Sequence, residues 1–163
     1  MNYEDYTKTE DANGVITFTP KPKQVPDGAY WEPKVGERYF CISTEGDAWA
    51  SENTRHSIDK ERIALGNCFR TQELVEKENQ QRKALTRVRK FIAENGLYWE
   101  PDWSNGDQTK YFLRFDFRSN TFGSDCWFDL KQFSPIGCFK SIEDVEKIIT
   151  ACDADLRIMW DVK

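Results

Sequence analysis

The sequence predicts an α+β protein: two tandem ββα-like repeats, each an antiparallel hairpin with a helix packed on one face, preceded by an N-terminal arm. Three observations carry this. A series of motifs recurs in the same order. Tyr30-Trp31-Glu32-Pro33 returns unchanged as Tyr98-Trp99-Glu100-Pro101, and Gly36-Glu37 and Tyr39-Phe40 return as Gly106-Asp107 and Tyr111-Phe112. Cys68-Phe69-Arg70-Thr71 returns as Cys138-Phe139-Lys140-Ser141, and Val75-Glu76-Lys77 as Val145-Glu146-Lys147. The offset starts at 68, reaches 72 and settles at 70, as short loop insertions between two copies leave it. The front of each copy alternates at period two and its rear carries an apolar stripe at helical spacing. The boundaries are an arm at 1–29, a first repeat at 30–97 and a second at 98–163.

In the arm, residues 1 to 14 are polar and read as mobile, and Val15 to Thr19 is a short strand candidate. Pro20, Pro22 and Pro26 make the next stretch a linker. The first repeat opens on Trp31-Glu32-Pro33, an extended entry, because the residue before proline is pushed out of the helical region. Glu37 to Thr44 is the first strand, Glu45-Gly46-Asp47 its turn, and the polar stretch Ser51 to Lys60 a loop. Thr71 caps a helix from Gln72 to Glu94 that stops at Asn95-Gly96. Leu74, Leu85, Val88 and Ile92 form its inner stripe, widened by Ala84 and Phe91.

The second repeat follows the same grammar. Tyr111, Leu113, Phe115 and Phe117 fall on one strand face, with Arg114, Asp116 and Arg118 on the other. Ser119-Asn120 is a turn, and Cys126, Phe128 and Leu130 line one face of the returning strand. Ser141 caps a shorter helix, Ile142 to Ala151, with Ile142, Val145, Ile148 and Ile149 inward. Phe69 and Phe139 sit two residues before the caps and pin each helix entry to the core. Leu156 to Val162 alternates and reads as a final strand or a frayed helical turn. The duplicated Tyr30-Trp31 and Tyr98-Trp99 are expected to clasp the two units together.

At 163 residues and 19.1 kDa the chain is one domain or a tight pair of half-domains. A chain of this length buries roughly 70% of its unfolded surface, enough to hold a core without disulfide or metal. Aromatic residues at 14% exclude a disordered chain. No apolar run approaches the ~18 residues of a membrane span. The acidic, polar start argues against a secretory leader. Five cysteines, odd in number and without a C-x-x-C pair, read as free thiols in a reducing cytosol. The net charge of −5 is uneven: the arm carries −2, residues 30–97 carry +1 and residues 98–163 carry −4. An acidic protein repels nucleic acid at long range, so nucleic-acid binding would need a local basic patch.

No catalytic set emerges. His56 is the single histidine and stands in a polar stretch without an evident partner for general-base work. Cys68 and Cys138 occupy equivalent positions beside phenylalanine, which suits small buried residues better than nucleophiles. Zinc, calcium and phosphate-loop spacings are absent from the sequence, so no metal or cofactor is expected. Glu73 and Glu143 are accounted for by helix capping, and the duplicated Glu32 and Glu100 by structure.

Two features point to binding. The first is a basic helical stretch, Arg82, Lys83, Arg87, Arg89 and Lys90, with no acid between Glu78 and Glu94. These five lie opposite Ala84, Leu85, Val88, Phe91 and Ile92, and form either a solvated face or a surface for phosphates or an acidic protein. The second is the aromatic surplus. Trp103 stands in the polar loop Asp102 to Gly106, and Trp127 falls on the strand face opposite Cys126, Phe128 and Leu130. An exposed tryptophan anchors protein interfaces or stacks on bases.

Gly36-Glu37-Arg38-Tyr39-Phe40, then Gly66-Asn67-Cys68-Phe69-Arg70-Thr71, then a charged helix ending Phe91-Ile92-Ala93-Glu94-Asn95, resemble small accessory proteins encoded by bacteriophages and prophages. The resemblance covers most of residues 30 to 150, and its motifs are structural rather than catalytic. It implies a non-enzymatic binder that blocks a bacterial target by occlusion, of the anti-defence or anti-CRISPR kind, working in the host cytoplasm. The expected partner is a host protein met through Trp103 and Trp127 or the basic helix, and no membrane. The alternatives are a nucleic-acid-binding accessory protein using Arg82, Lys83, Arg87, Arg89 and Lys90, and a small-molecule sequestering protein or enzyme.

Overall fold

The computed structural model describes residues 6–10, 14–20, 30–128 and 134–163. In chain order the elements are β1 (Tyr6–Glu10), β2 (Ile16–Pro20), β3 (Arg38–Ile42), β4 (Ala48–Glu52), α1 (Ser57–Ala64), α2 (Gln72–Glu94), β5 (Lys110–Asp116), β6 (Thr121–Trp127) and α3 (Ile142–Trp160). The strands pair as three antiparallel hairpins, β1-β2, β3-β4 and β5-β6, so the class is α+β. The chain divides into two compact units, Met1–Trp31 and Glu32–Lys163.

The first unit holds the β1-β2 hairpin, in register Lys8↔Phe18. The sequence predicts one strand here and a mobile stretch over residues 1 to 14, but Tyr6–Glu10 forms a second strand. Its alternating threonines suit a pleated edge, and Gly14, two residues before β2, stands at φ 78. Most of the Pro20–Pro26 linker lies outside the described residues.

Within the second unit, a hairpin followed by a bridge and a capped helix occurs twice. Phe40 bridges Phe69, and Tyr111 bridges Phe139, each as an isolated antiparallel contact just before a helix. The phenylalanines thus pin the helix entries as expected. Thr71 and Ser141 both accept from the third backbone N–H of their helices, Leu74 and Asp144. The helix α2 ends where Asn95-Gly96 predicts: Gly96 is at φ 62, and the Leu97 N–H reaches back to the Ile92 carbonyl.

The helix α2 is buried on two opposite sides. Val75 and Asn79 are buried, and so are Ala84 and Val88, each nine residues further on. Nine residues are about 2.5 helical turns, so the two pairs face opposite ways. The Asn79 side chain donates to the carbonyl of Gly46 in the β3-β4 turn at 2.7 Å. From Val88 and Ile92 the main core continues through Phe122, Ile136, Phe139, Val145, Ile148, Cys152 and Leu156. The predicted stripe held the second face only; Val75 and Asn79 were missed because residues on the opposite side look like a solvent face in a one-sided pattern.

Other expectations change. The loop assigned to Ser51–Lys60 contains the end of β4 and the start of α1. The helix α1 buries only Asp59, so it has no apolar stripe to announce it. The final segment is neither strand nor frayed turn: α3 continues to Trp160 because Val145, Ile148, Cys152 and Leu156 keep a helical spacing inward. Ile142 is exposed instead of inward. In the third hairpin Tyr111, Leu113 and Phe115 pack on the core as read, but Phe117 lies beyond the strand and is exposed. Cys126 and Phe128 are exposed as well, since the strand runs past the core and only Phe122 reaches it. Tyr30 and Tyr98 expose 68% and 78% of their surface, whereas Pro33 is fully covered and its carbonyl accepts from Asn53 Nδ2 at 2.7 Å.

Four of the five thiols, Cys41, Cys68, Cys138 and Cys152, are buried, and Cys126 is exposed. Burial pushes all four upward, Cys68 to about 11. With the reduced native protein, a colorimetric thiol reagent at neutral pH is therefore expected to modify one cysteine rapidly, with all five reacting in denaturant. Cys126→Ser should remove the fast phase; a fast phase of two or more thiols would contradict this packing.

Candidate partner-binding surface

Lys110, at the start of the third hairpin, is the residue beside which both tryptophans singled out by the sequence are placed. Lys110 opens β5 and is the register partner of Trp127, the last residue of β6. Directly opposed residues in an antiparallel pair place their side chains on one face. Trp103 comes from the preceding loop, and the Lys110 Nζ lies 5.6 Å from the centre of its ring.

Lys110 organises this end of the hairpin. It is only 1% exposed, which is rare for lysine. Its ammonium donates to the Asn105 carbonyl at 2.9 Å and the Phe128 carbonyl at 2.8 Å, and the Trp103 ring adds a cation–π contact. One buried charge thereby ties the loop to the strand end. The loop is also braced from within. The Asp102 carboxylate accepts from the Ser104 hydroxyl at 2.6 Å and the Ser104 N–H at 2.9 Å. Those bonds from Ser104, side chain first and backbone next, hold the Asp102 carboxyl below the usual range. The Gln108 side-chain oxygen accepts from the Asp102 N–H at 2.8 Å, and Asn105 accepts from the Asp107 N–H at 2.9 Å.

On this frame Trp103 and Trp127 are each 39% exposed and Phe128 is 51% exposed. The sequence put Phe128 on the strand face opposite Trp127 and did not single it out as a surface residue. Lys110 was missed too, because an isolated lysine at a strand start looks solvated until its acceptors are known.

The basic stretch of α2 looks different in three dimensions. Arg82 pairs with Glu78 at 2.8 Å, and Lys90 with Glu94 at 3.6 Å. Lys83 donates to the Gly46 carbonyl at 3.0 Å, alongside Asn79. Arg87 grips Asp155 of α3 with two nitrogens, at 2.9 and 2.6 Å. Arg89 donates to the Pro135 carbonyl at 2.8 Å. Each of the five bases has an acceptor within the chain, and three of them tether α2 to other segments. For the three tethering bases the sequence could not show this, because their acceptors lie 37 to 68 residues away.

His56 caps the start of α1, where its N–H donates to Asp59 at 3.1 Å. A shallow groove of about 440 Å³ lies between the end of α2 and the start of α3, lined by Phe91, Asn95, Glu143, Glu146, Lys147 and Thr150. Among the described residues no group of three or more His, Cys, Asp and Glu side chains is arranged to hold a metal ion. No described helix is long and apolar enough to cross a membrane. Comparison with known proteins finds no matching family model, curated protein or solved structure.

Proposed function

We propose that this chain is a non-enzymatic binding protein of the phage accessory kind, which blocks a bacterial protein target by occluding its surface. The contact surface in this reading is the Lys110 end of the β5-β6 hairpin, with Trp103, Trp127 and Phe128 as anchors. The observation that carries it is the buried Lys110 ammonium, bonded to two carbonyls and capped by Trp103. A loop tied down in this way loses little freedom on binding, so its exposed aromatic area is available as affinity. Interface hot spots are enriched in tryptophan.

Nucleic acid is the weaker reading, because a phosphate would have to compete with the acceptors already on Arg82, Lys83, Arg87, Arg89 and Lys90. The test is a nuclease-treated capture of partners from bacterial lysate, run in parallel with wild type, Trp103→Ala, Trp127→Ala and the double variant. Circular dichroism should be unchanged in the variants, and the Trp103 variants, which lose the cation–π contact to Lys110, should melt somewhat lower but remain folded at the capture temperature. The double variant is expected to lose a stoichiometric protein partner, with each single change weakening it by about 30-fold for a hot-spot anchor. Equal capture by the double variant would remove the tryptophan surface. Partners that vanish on nuclease treatment would move the site to the basic residues of α2.

A further inference from the structure

We infer that Cys41 and Cys68 are a cross-strand pair able to close into a disulfide that ties β3 to the entry of α2. Strand register sets the two side by side. Phe40 and Phe69 exchange both backbone hydrogen bonds, N–H to carbonyl at 2.9 Å one way and 2.8 Å the other. They are therefore a hydrogen-bonded antiparallel pair, and the next residues inward, Cys41 and Cys68, face each other as a non-hydrogen-bonded pair. The register is held on the far side as well. The Asn67 side-chain amide stands in for backbone opposite Ile42, accepting from its N–H at 2.9 Å and donating to its carbonyl at 2.9 Å. Cys41 and Cys68 are thus bracketed by bonds of one register on both sides.

Opposed residues in such a pair have Cα atoms about 4.5 Å apart and side chains on the same face. That spacing lies within the roughly 4.4 to 6.8 Å that a disulfide spans. Both thiols are buried, at 0% and 7% exposure. Burial is the largest cause of the upward push on Cys68, and the neighbouring Cys41 is the next, as expected of thiols in one site. The second half supplies an internal control. Tyr111 and Phe139 exchange the equivalent bonds, at 3.1 and 2.8 Å, but there the next pair is Phe112 with Cys138, which cannot be linked.

The oxidant is a low-molecular-weight disulfide such as glutathione disulfide. One thiolate attacks it, forming a mixed disulfide and releasing one glutathione thiol. The second thiolate then attacks the protein sulfur of that mixed disulfide and releases the other. The protein loses two electrons and two protons, and the glutathione disulfide gains them. Because both thiols are covered and protonated at neutral pH, the folded protein reacts only through local opening, so refolding is the decisive route.

The experiment is to unfold and reduce the full chain, refold it in a buffer of reduced and oxidised glutathione, trap with acid, and map the peptides by mass spectrometry. Wild type is expected to show one intramolecular link between Cys41 and Cys68, with free thiols falling from five to three. Its thermal midpoint should rise, and a reductant should reverse the rise. Cys41→Ala and Cys68→Ala should each keep all their remaining thiols free. Five free thiols after refolding, or a dominant link through Cys126, Cys138 or Cys152, would overturn the pairing. The wild-type peptide map decides this even where a variant folds poorly.

Discussion

Replacing Asp59 with alanine is expected to cost about 3 kcal/mol of stability, a value set by the donors it leaves behind. The Asp59 carboxylate is covered, at 2% exposure, and accepts from the Tyr39 hydroxyl at 2.7 Å. It also accepts from the Thr54 N–H and hydroxyl, both at 3.0 Å, and the His56 N–H at 3.1 Å. Arg62 completes the cluster, donating to the Tyr39 hydroxyl at 3.1 Å and to Ser51 at 3.3 Å. One side chain therefore joins β3, the segment just after β4 and the first turn of α1. Burial alone would raise the Asp59 carboxyl, but the hydrogen bonds from Tyr39, Thr54 and His56 outweigh it and hold the group below the ordinary aspartate range.

A depressed carboxylate contributes stability that is fully present above its unfolded value, near 4, and is lost as pH falls through its folded value. The exposed carboxylates Glu45, Glu73, Asp102 and Glu143 and the half-buried Asp116 are shifted the same way by local hydrogen bonds and add to the trend. Thermal melts of wild type and Asp59→Asn between pH 7 and pH 3 are the check. Wild type should melt higher at neutral pH, and the gap should narrow below about pH 4. A gap that widens on acidification would mean that the site prefers a protonated acid.

The Asp59 cluster marks where sequence reasoning ends. Ser51 to Lys60 read as a loop because no apolar residue recurs there at either period, yet it folds around a carboxylate whose partner Tyr39 lies 20 residues earlier. Helix α2, with its capping threonine and its Asn-Gly stop, was legible to the residue, because every signal for it is local. The hairpin β5-β6 was legible for the same reason, by its alternation. What was lost depends on distant partners: the second buried face of α2, the tethering of Lys83, Arg87 and Arg89, and the burial of Lys110. At the candidate surface, Trp103 and Trp127 could be named singly. Their common relation to Lys110 depends on the Lys110↔Trp127 register and on the Trp103 ring facing the ammonium, which no periodicity specifies.

The end of the chain gives a sharp test, because helix and strand assign its residues to different faces. A strand from Leu156 would turn Leu156, Ile158 and Trp160 to one side, so truncating any of them would cost a similar amount. The helix separates them: Leu156 is 0% exposed in the core with Ile148 and Cys152, while Ile158 is 37% exposed. Leu156→Ala is therefore expected to cost about 2 to 5 kcal/mol, the usual range for emptying a leucine site in a packed core. Ile158→Ala should cost about 1 kcal/mol or less, since much of its side chain already meets water. Trp160 falls between them, resting edge-on against Phe122 with ring centres 5.6 Å apart. Urea unfolding of the three alanine variants measures this order directly. Equal losses at Leu156 and Ile158 would restore the strand. The predicted order would place the last turns of α3 in the core, where the tether from Arg87 to Asp155 keeps them against α2.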